Sequence, residues 1–232
     1  MPATTPQLAL GIGLKDNATF DNFFPAGNEL VLQTLQADSE QTLFLYGAQG
    51  IGKTHLLQAV CHRVASRGGS PAYLPLASRA QLAPAILDGL EHQSVVLLDD
   101  IQHIAGQPEW ETALFHLYNR VRERGTRLLI SSRVAPGGLA LGLPDLASRL
   151  SWGPVFQLEA LNDDEKRQAL QLRAKQRGMS LGDEVAEFLL KRAPRDMGSL
   201  FALLNKLDRA SLAAQRRLTI PFVRELLDSP SP

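Results

Sequence analysis

Four residues set the first chemical question: Gly47, Gly52, Lys53 and Thr54, in the stretch YGAQGIGKTHLLQA from Tyr46 to Ala59, have the spacing G-x-x-x-x-G-K-[ST]. A loop of this kind between a buried strand and a helix points consecutive backbone N–H groups at one place. The helix N-terminus adds positive potential there, which makes the loop a cradle for phosphate. Gly47, Gly50 and Gly52 allow the backbone to come close, Lys53 is placed to neutralise β and γ phosphates, and the Thr54 hydroxyl is placed to ligate Mg²⁺. The candidate nucleotide-binding set is Gly47, Gly50, Ile51, Gly52, Lys53, Thr54 and His55. A glycine-rich turn with no ligand would not require Lys and Thr at these two places.

A nucleotide site also needs a carboxylate at the C-terminal end of a neighbouring strand, where α/β sheets bind ligands. The run SVVLLDD (94 to 100) supplies Asp99 as Mg²⁺ partner and Asp100 as a group to polarise an attacking water. The plainer alternative is a pair of helix-capping aspartates. Ser131 and Ser132 end the strand RLLISS, where one of them is a candidate sensor of the γ phosphate or the attacking water, although serines ending a strand are more often simple turn formers. Arg149, in LASRLSWGP, lies too late in the chain to belong to the phosphate loop and reads from the residues alone as a surface charge. The five histidines (55, 62, 92, 103 and 116) form no ligand-spaced cluster with the one cysteine, Cys61, so no structural zinc is expected. Cys61 itself reads as a small buried hydrophobe.

These side chains need a frame, and from about Gln41 the chain alternates short apolar runs with longer amphipathic ones, the rhythm of a parallel α/β sheet with flanking helices. Strands are expected at 42–46, at 72–76 (short or at an edge because of Pro75), at 94–100, at 127–132 and at 154–160. Helices are expected at 54–65, at 81–90 with Pro84 in its first turn, and at 108–124. After Leu161 the pattern is helical only: Asp163 to Arg177 capped by Asn162 or Asp163, Asp183 to Lys191, Met197 to Ala213, and a short helix from Pro221. The expected organisation is an N-terminal segment (1–18), an α/β nucleotide-binding domain (19–160) and a small helical lid domain (161–232). At 232 residues, 44% hydrophobic, the chain can bury a substantial core. Its 24 basic and 24 acidic residues leave a formal net charge of zero, so no global positive field points to nucleic acid. One cysteine permits no internal disulfide, and neither a secretory leader nor a membrane-spanning run is apparent; a cytoplasmic protein is expected.

The segments TFDNFFPAGN (19 to 28), YGAQGIGKTHLLQA, VVLLDDIQHIAG (95 to 106), LASRLSWG (146 to 153) and LDRASLAAQRRLTIPFVRELL (207 to 227) resemble the DnaA-related AAA+ family, and the last of them its Hda branch. The resemblance implies an AAA+ P-loop domain followed by a helical lid, ADP or ATP with Mg²⁺ as ligand, and weak ATPase activity at most. By the same resemblance Arg149 would be an arginine finger inserted in trans into the nucleotide site of DnaA. QLALGI, Gln7 to Ile12, is similar to the peptide by which Hda proteins dock on the β sliding clamp of DNA polymerase III. Gln7 would supply directional hydrogen bonds and Leu8, Leu10 and Ile12 would enter an apolar pocket, with Gly11 where proline is usual. The resemblance also implies association with the nucleoid through the clamp and leaves a homodimer open. The family's sensor 2 arginine aligns with Gly198, leaving Arg195 as the nearest substitute. The sequence ends at Pro232 without the helix-turn-helix that DnaA carries after its lid, so sequence-specific DNA binding is not expected. A related helicase loader or an autonomous P-loop ATPase or kinase are the competing readings. A loader needs an N-terminal partner-binding domain, and only about forty residues precede the first strand, too few to fold alone.

Overall fold

The computed structural model describes residues 18–194 and 196–228. The expected clamp-binding segment (Gln7, Leu8, Leu10, Ile12) and Arg195 lie outside the described residues. Two compact units are present among the described residues: one holds Ala18–Phe20, Gly27–Ala48 and Lys53–Leu158, the other Asp21–Ala26, Gln49–Gly52, Glu159–Pro194 and Asp196–Asp228.

The first unit is built on a parallel five-stranded sheet in the order β2-β3-β4-β1-β5. Its strands are β1 (Thr42–Tyr46), β2 (Pro71–Pro75), β3 (Val95–Asp99), β4 (Arg127–Ser132) and β5 (Val155–Gln157). The central strands β1, β3 and β4 are covered on both faces, which is why they are near-continuous apolar runs rather than alternating ones. Proline at both ends of β2 is tolerated because β2 is an edge strand. β5, expected over seven residues, is three long, and the Phe44 N–H donates to the Pro154 carbonyl at 2.9 Å just before it. The helices are α1 (Glu29–Ala37), α2 (Lys53–Ser66), α3 (Pro108–Arg124) and α4 (Pro144–Leu150). Leu98, Ile130, Leu128 and Val96 of the sheet close on Leu114, Leu117 and Val121 of α3, and on Leu146 and Leu150 of α4.

One expectation is corrected here. No α-helix spans residues 81–90; short 3₁₀ turns at Leu76–Gln81, Pro84–Leu87 and Leu90–His92 replace it. Pro84 forces Ala83 into an extended conformation, and Gly89, at φ 79°, bends the chain again before Leu90. Leu87 and Leu90 still reach the core, so the apolar spacing was real while the local backbone was not helical. α1 and α4 are additional to the expected elements.

The second unit contains α5 (Asp163–Gln176), α6 (Asp183–Arg192), α7 (Met197–Ala214) and α8 (Ile220–Asp228). Their apolar stripes meet in a core of Leu170, Leu189, Leu200, Leu204, Leu207 and Val223, among others. α5 starts with a capping box: the Asn162 side chain accepts the Glu165 N–H at 2.9 Å, and the Glu165 carboxylate accepts the Asn162 N–H at 2.7 Å.

Candidate nucleotide site

The loop Gly47–Gly52 leaves the end of β1 and enters α2 at Lys53. The Gly47 N–H donates to the Ser132 carbonyl at 3.2 Å, which ties the start of the loop to the end of β4. Gly50 and Gly52 have φ of 81° and 110°, conformations that side-chain-bearing residues rarely adopt. Space is closed to a side chain as well: a Cβ on Gly52 would lie 2.6 Å from Phe23 Cε2, and one on Gly50 would lie 3.0 Å from Asp196 Cβ. Ile51 is half-buried within the loop.

Lys53 is only 5% exposed, and its ammonium donates to the carbonyls of Gly47 and Ala48, both at 2.8 Å. Burial lowers its pKa, while the nearby Asp100 and Asp99 raise it and Arg133 lowers it further. The lysine of the loop and the two strand-end aspartates are thus within electrostatic reach of one another. Thr54 and His55 occupy the first turn of α2, both half-buried, and His55 Nε2 is 2.8 Å from the Thr19 carbonyl oxygen.

Asp99 is 2% exposed and fully engaged: the Tyr73 hydroxyl donates to Oδ2 at 2.8 Å and the Ser131 hydroxyl donates to Oδ1. The same Ser131 oxygen accepts the Asp100 N–H at 2.9 Å, so one hydroxyl joins β4 to the end of β3. Asp100 has φ 60° and ψ 50°, a left-handed conformation that turns its side chain off the strand direction. Gln102 locks that turn: its amide donates to Asp100 Oδ1 at 3.0 Å while its oxygen accepts the Arg133 N–H at 3.1 Å. Ser132 is fully buried, and its hydroxyl oxygen accepts the Val134 N–H at 3.3 Å. The structure therefore brings Gly47, Lys53, Asp99, Asp100, Ser131 and Ser132 to one end of the sheet. Tyr73, Gln102 and Arg133 belong to the same network and were not singled out by sequence. Gln102 lies within VVLLDDIQHIAG (95 to 106), where a glutamine three residues after the first aspartate is the available signal.

Arg149 stands apart from this cluster. It lies on α4, half-buried, and donates to the Asn119 side-chain oxygen. Its guanidinium stacks on the Phe115 ring at 3.9 Å and lies 6.0 Å from the centroid of Trp152, which is 55% exposed. Gly198 is in the first turn of α7, where the helix is capped by the Asp196 carboxylate accepting the Ser199 N–H at 2.9 Å.

The site fits phosphate: glycines in positive φ, a loop closed to side chains, a helix N-terminus and a buried lysine converge at the C-terminal ends of parallel strands. No cluster of three or more His, Cys, Asp or Glu occurs among the described residues, so a cation here would depend on phosphate and water for most of its ligands, which is the habit of Mg²⁺.

This fold and this loop define an AAA+ P-loop nucleotide-binding domain followed by a helical lid. The family description "Bacterial DnaA ATPase domain" matches residues 14–157, and "Hda, lid domain" matches residues 163–227. The chain belongs to the bacterial DnaA ATPase domain family and carries an Hda-type lid. Among solved structures it is similar to domain III of the replication initiation protein DnaA from Thermotoga maritima, with 23% identity, a TM-score of 0.76, and 92% of this chain and 97% of that one covered. It is also similar to AMPPCP-bound DnaA from Aquifex aeolicus, with 24% identity, a TM-score of 0.72, and 86% and 67% covered. The Holliday junction branch migration motor RuvB of Thermotoga maritima shares the fold at 15% identity and a TM-score of 0.62, covering 88% and 67%. None of the described helices is long and apolar enough to cross a membrane.

Proposed function

We propose that this chain is a negative regulator of chromosomal replication initiation, which holds ADP or ATP with Mg²⁺ and stimulates hydrolysis of the ATP bound to DnaA. The observation that carries the reading is the succession, in one chain, of a DnaA-type ATPase domain and an Hda-type lid around an intact phosphate loop. The domains of this reading are an N-terminal segment (1–18), the α/β domain (19–160) and the lid (161–232).

In its own site, the backbone N–H groups of the loop receive the phosphates, and Lys53 exchanges its two carbonyl partners for phosphate oxygens. Thr54 and Asp99 would hold Mg²⁺ and Asp100 would orient water. Bound Mg²⁺ would supply charge neutralisation at the phosphates. Ser131 acts mainly as the brace of Asp99 and Asp100. Its own turnover is weak, and Arg149 acts on the nucleotide of DnaA, where a guanidinium stabilises charge on the transferring phosphoryl group and is worth roughly 10³–10⁵ in rate. Stacking on Phe115 and the bond to Asn119 support this role by presenting the guanidinium in one orientation instead of leaving it to wander. The segment Gln7–Ile12 docks on the DNA-loaded β sliding clamp and raises the effective concentration of an otherwise weak encounter with DnaA.

The test follows phosphate release from labelled ATP held by DnaA, with clamp loaded on DNA, on addition of the wild type, Arg149→Ala or Lys53→Ala. Stimulation by the wild type, its loss in Arg149→Ala and loss of nucleotide binding in Lys53→Ala are expected. Steady ATP turnover by the purified chain alone would favour the autonomous enzyme instead. Unchanged stimulation by Arg149→Ala would remove the finger assignment.

A further inference from the structure

We infer that Tyr73 is a positioning residue of the nucleotide site, whose phenol hydroxyl holds the Asp99 carboxylate in place for the cation that accompanies the nucleotide. This rests on the reading of Gly47–Thr54 and Asp99 as that site. An ionised carboxylate only accepts hydrogen bonds, at about four lone-pair positions on its two oxygens. The Tyr73 hydroxyl donates to Asp99 Oδ2 at 2.8 Å and the Ser131 hydroxyl donates to Oδ1, so each oxygen is held by one donor and keeps a second lone pair. The two donors come from opposite sides, because β2 and β4 flank β3. Together they fix the rotation of the carboxylate plane, which one donor alone would leave adjustable.

The reach of Tyr73 follows from the sheet register. β2 and β3 run parallel with Tyr73 opposite Leu97 and Pro75 opposite Asp99. Tyr73 and Asp99 are therefore diagonal neighbours on one face of the sheet, a separation that a tyrosine side chain spans and a serine does not. The hydroxyl is itself oriented: the Gln58 side chain donates to its oxygen, which leaves the phenol proton for Asp99. Tyr73 and Gln58 are 3% and 1% exposed, so water does not compete for these bonds. Gln58 lies on α2 four residues after Thr54, one turn along the same helix face. A buried relay thus runs from the helix that carries Thr54, through Tyr73, to Asp99, and sets the two candidate cation ligands in one frame. Hydrogen bonds in such a chain polarise and strengthen one another.

A group that orients a metal ligand without touching the metal is typically worth about 10- to 100-fold in metal affinity. Phenylalanine at position 73 keeps the ring and removes only the donor.

The test uses the full chain as wild type, Tyr73→Phe and Gln58→Leu. It measures ADP affinity in EDTA by calorimetry, then the affinity of the ADP-loaded chain for Mn²⁺ by the paramagnetic resonance of the bound ion. Tyr73→Phe should weaken Mn²⁺ binding about tenfold, and Gln58→Leu should weaken it by less. A merely structural role of Tyr73 would lower ADP affinity in EDTA as well, without singling out the metal. Should Tyr73→Phe fail to fold, the shift in Gln58→Leu decides. Mn²⁺ affinity within twofold of wild type in the folded variants overturns the inference and leaves the phosphate-site reading intact. A wild type that binds ADP but takes up no Mn²⁺ beside it overturns the role of Asp99 together with the inference. A wild type that binds no ADP overturns the phosphate-site reading too.

Discussion

Replacing Gly52 by alanine tests the loop geometry more directly than removal of its lysine does, because no charge or donor is lost. Two costs are legible in the structure. Gly52 holds φ 110°, and forcing an L side chain into such a region costs about 1–3 kcal/mol. The new methyl would lie 2.6 Å from Phe23 Cε2 and 3.5 Å from Cζ, so the ring must retreat by roughly 1 Å, at about 1–2 kcal/mol for an overpacked contact. If the loop relieves this strain by leaving its phosphate-binding shape, about 2–5 kcal/mol is subtracted from binding, a loss of roughly 30- to 5,000-fold in affinity for ADP. Titration calorimetry with ADP on the folded variant measures it. Phe23→Ala/Gly52→Ala should recover about tenfold, because the steric share disappears while the conformational share remains, and should still bind more weakly than Phe23→Ala. Binding by Gly52→Ala within threefold of wild type would refute the claim that this backbone geometry positions the ligand. A double variant no better than the single would refute the part assigned to Phe23.

Two further perturbations act on stability. A Cβ on Gly153 would lie 2.3 Å from the Thr42 carbonyl oxygen and 2.6 Å from Thr42 Oγ1, so Gly153→Ala should push the chain off β1, weaken the adjoining Phe44–Pro154 hydrogen bond and destabilise by about 2–3 kcal/mol; an unshifted urea midpoint would contradict this. Burial pushes the Cys61 thiol up to about 11 from an ordinary 9.0, so between pH 9 and 11 the unfolded chain loses a proton that the folded chain keeps. Folded protein then binds more protons than unfolded, and its stability falls as pH rises through that window, by up to about 2–3 kcal/mol, and levels off above it. Since Cys61→Ala lacks this titration, the wild-type advantage over the variant should shrink from pH 9 to 11; a constant difference would show that the thiol is not held protonated.

The local features were the legible ones. Strands β1, β3 and β4 declared themselves as apolar runs because a parallel sheet buries both of their faces, and the capping box at Asn162 and Glu165 needs only residues three apart. The candidate phosphate loop belongs to the same class: its glycines, lysine and threonine lie within eight residues, so their spacing alone made it legible. The stretch 81–90 shows the limit of such reasoning, since Leu87 and Leu90 had core spacing but Pro84 and Gly89 broke the backbone into 3₁₀ turns.

What the chain order could not convey were contacts between residues far apart in it. Ser131 joins Asp99 and Asp100 only because β4 lies beside β3, thirty-odd residues away, and Tyr73 reaches Asp99 because β2 lies on its other side. Arg149 looked like a surface charge by itself, and packing of α4 on α3 is what sets it on Phe115 and Asn119. Gly50 was legible as a loop glycine, but that Asp196, nearly 150 residues later, comes to rest against it follows from the lid's packing alone. Sequence by itself therefore determined which chemistry the loop can perform, because that chemistry is encoded in short-range backbone geometry. Tertiary structure decided which charges surround it, because electrostatic fields depend on distance in space and take no account of distance along the chain.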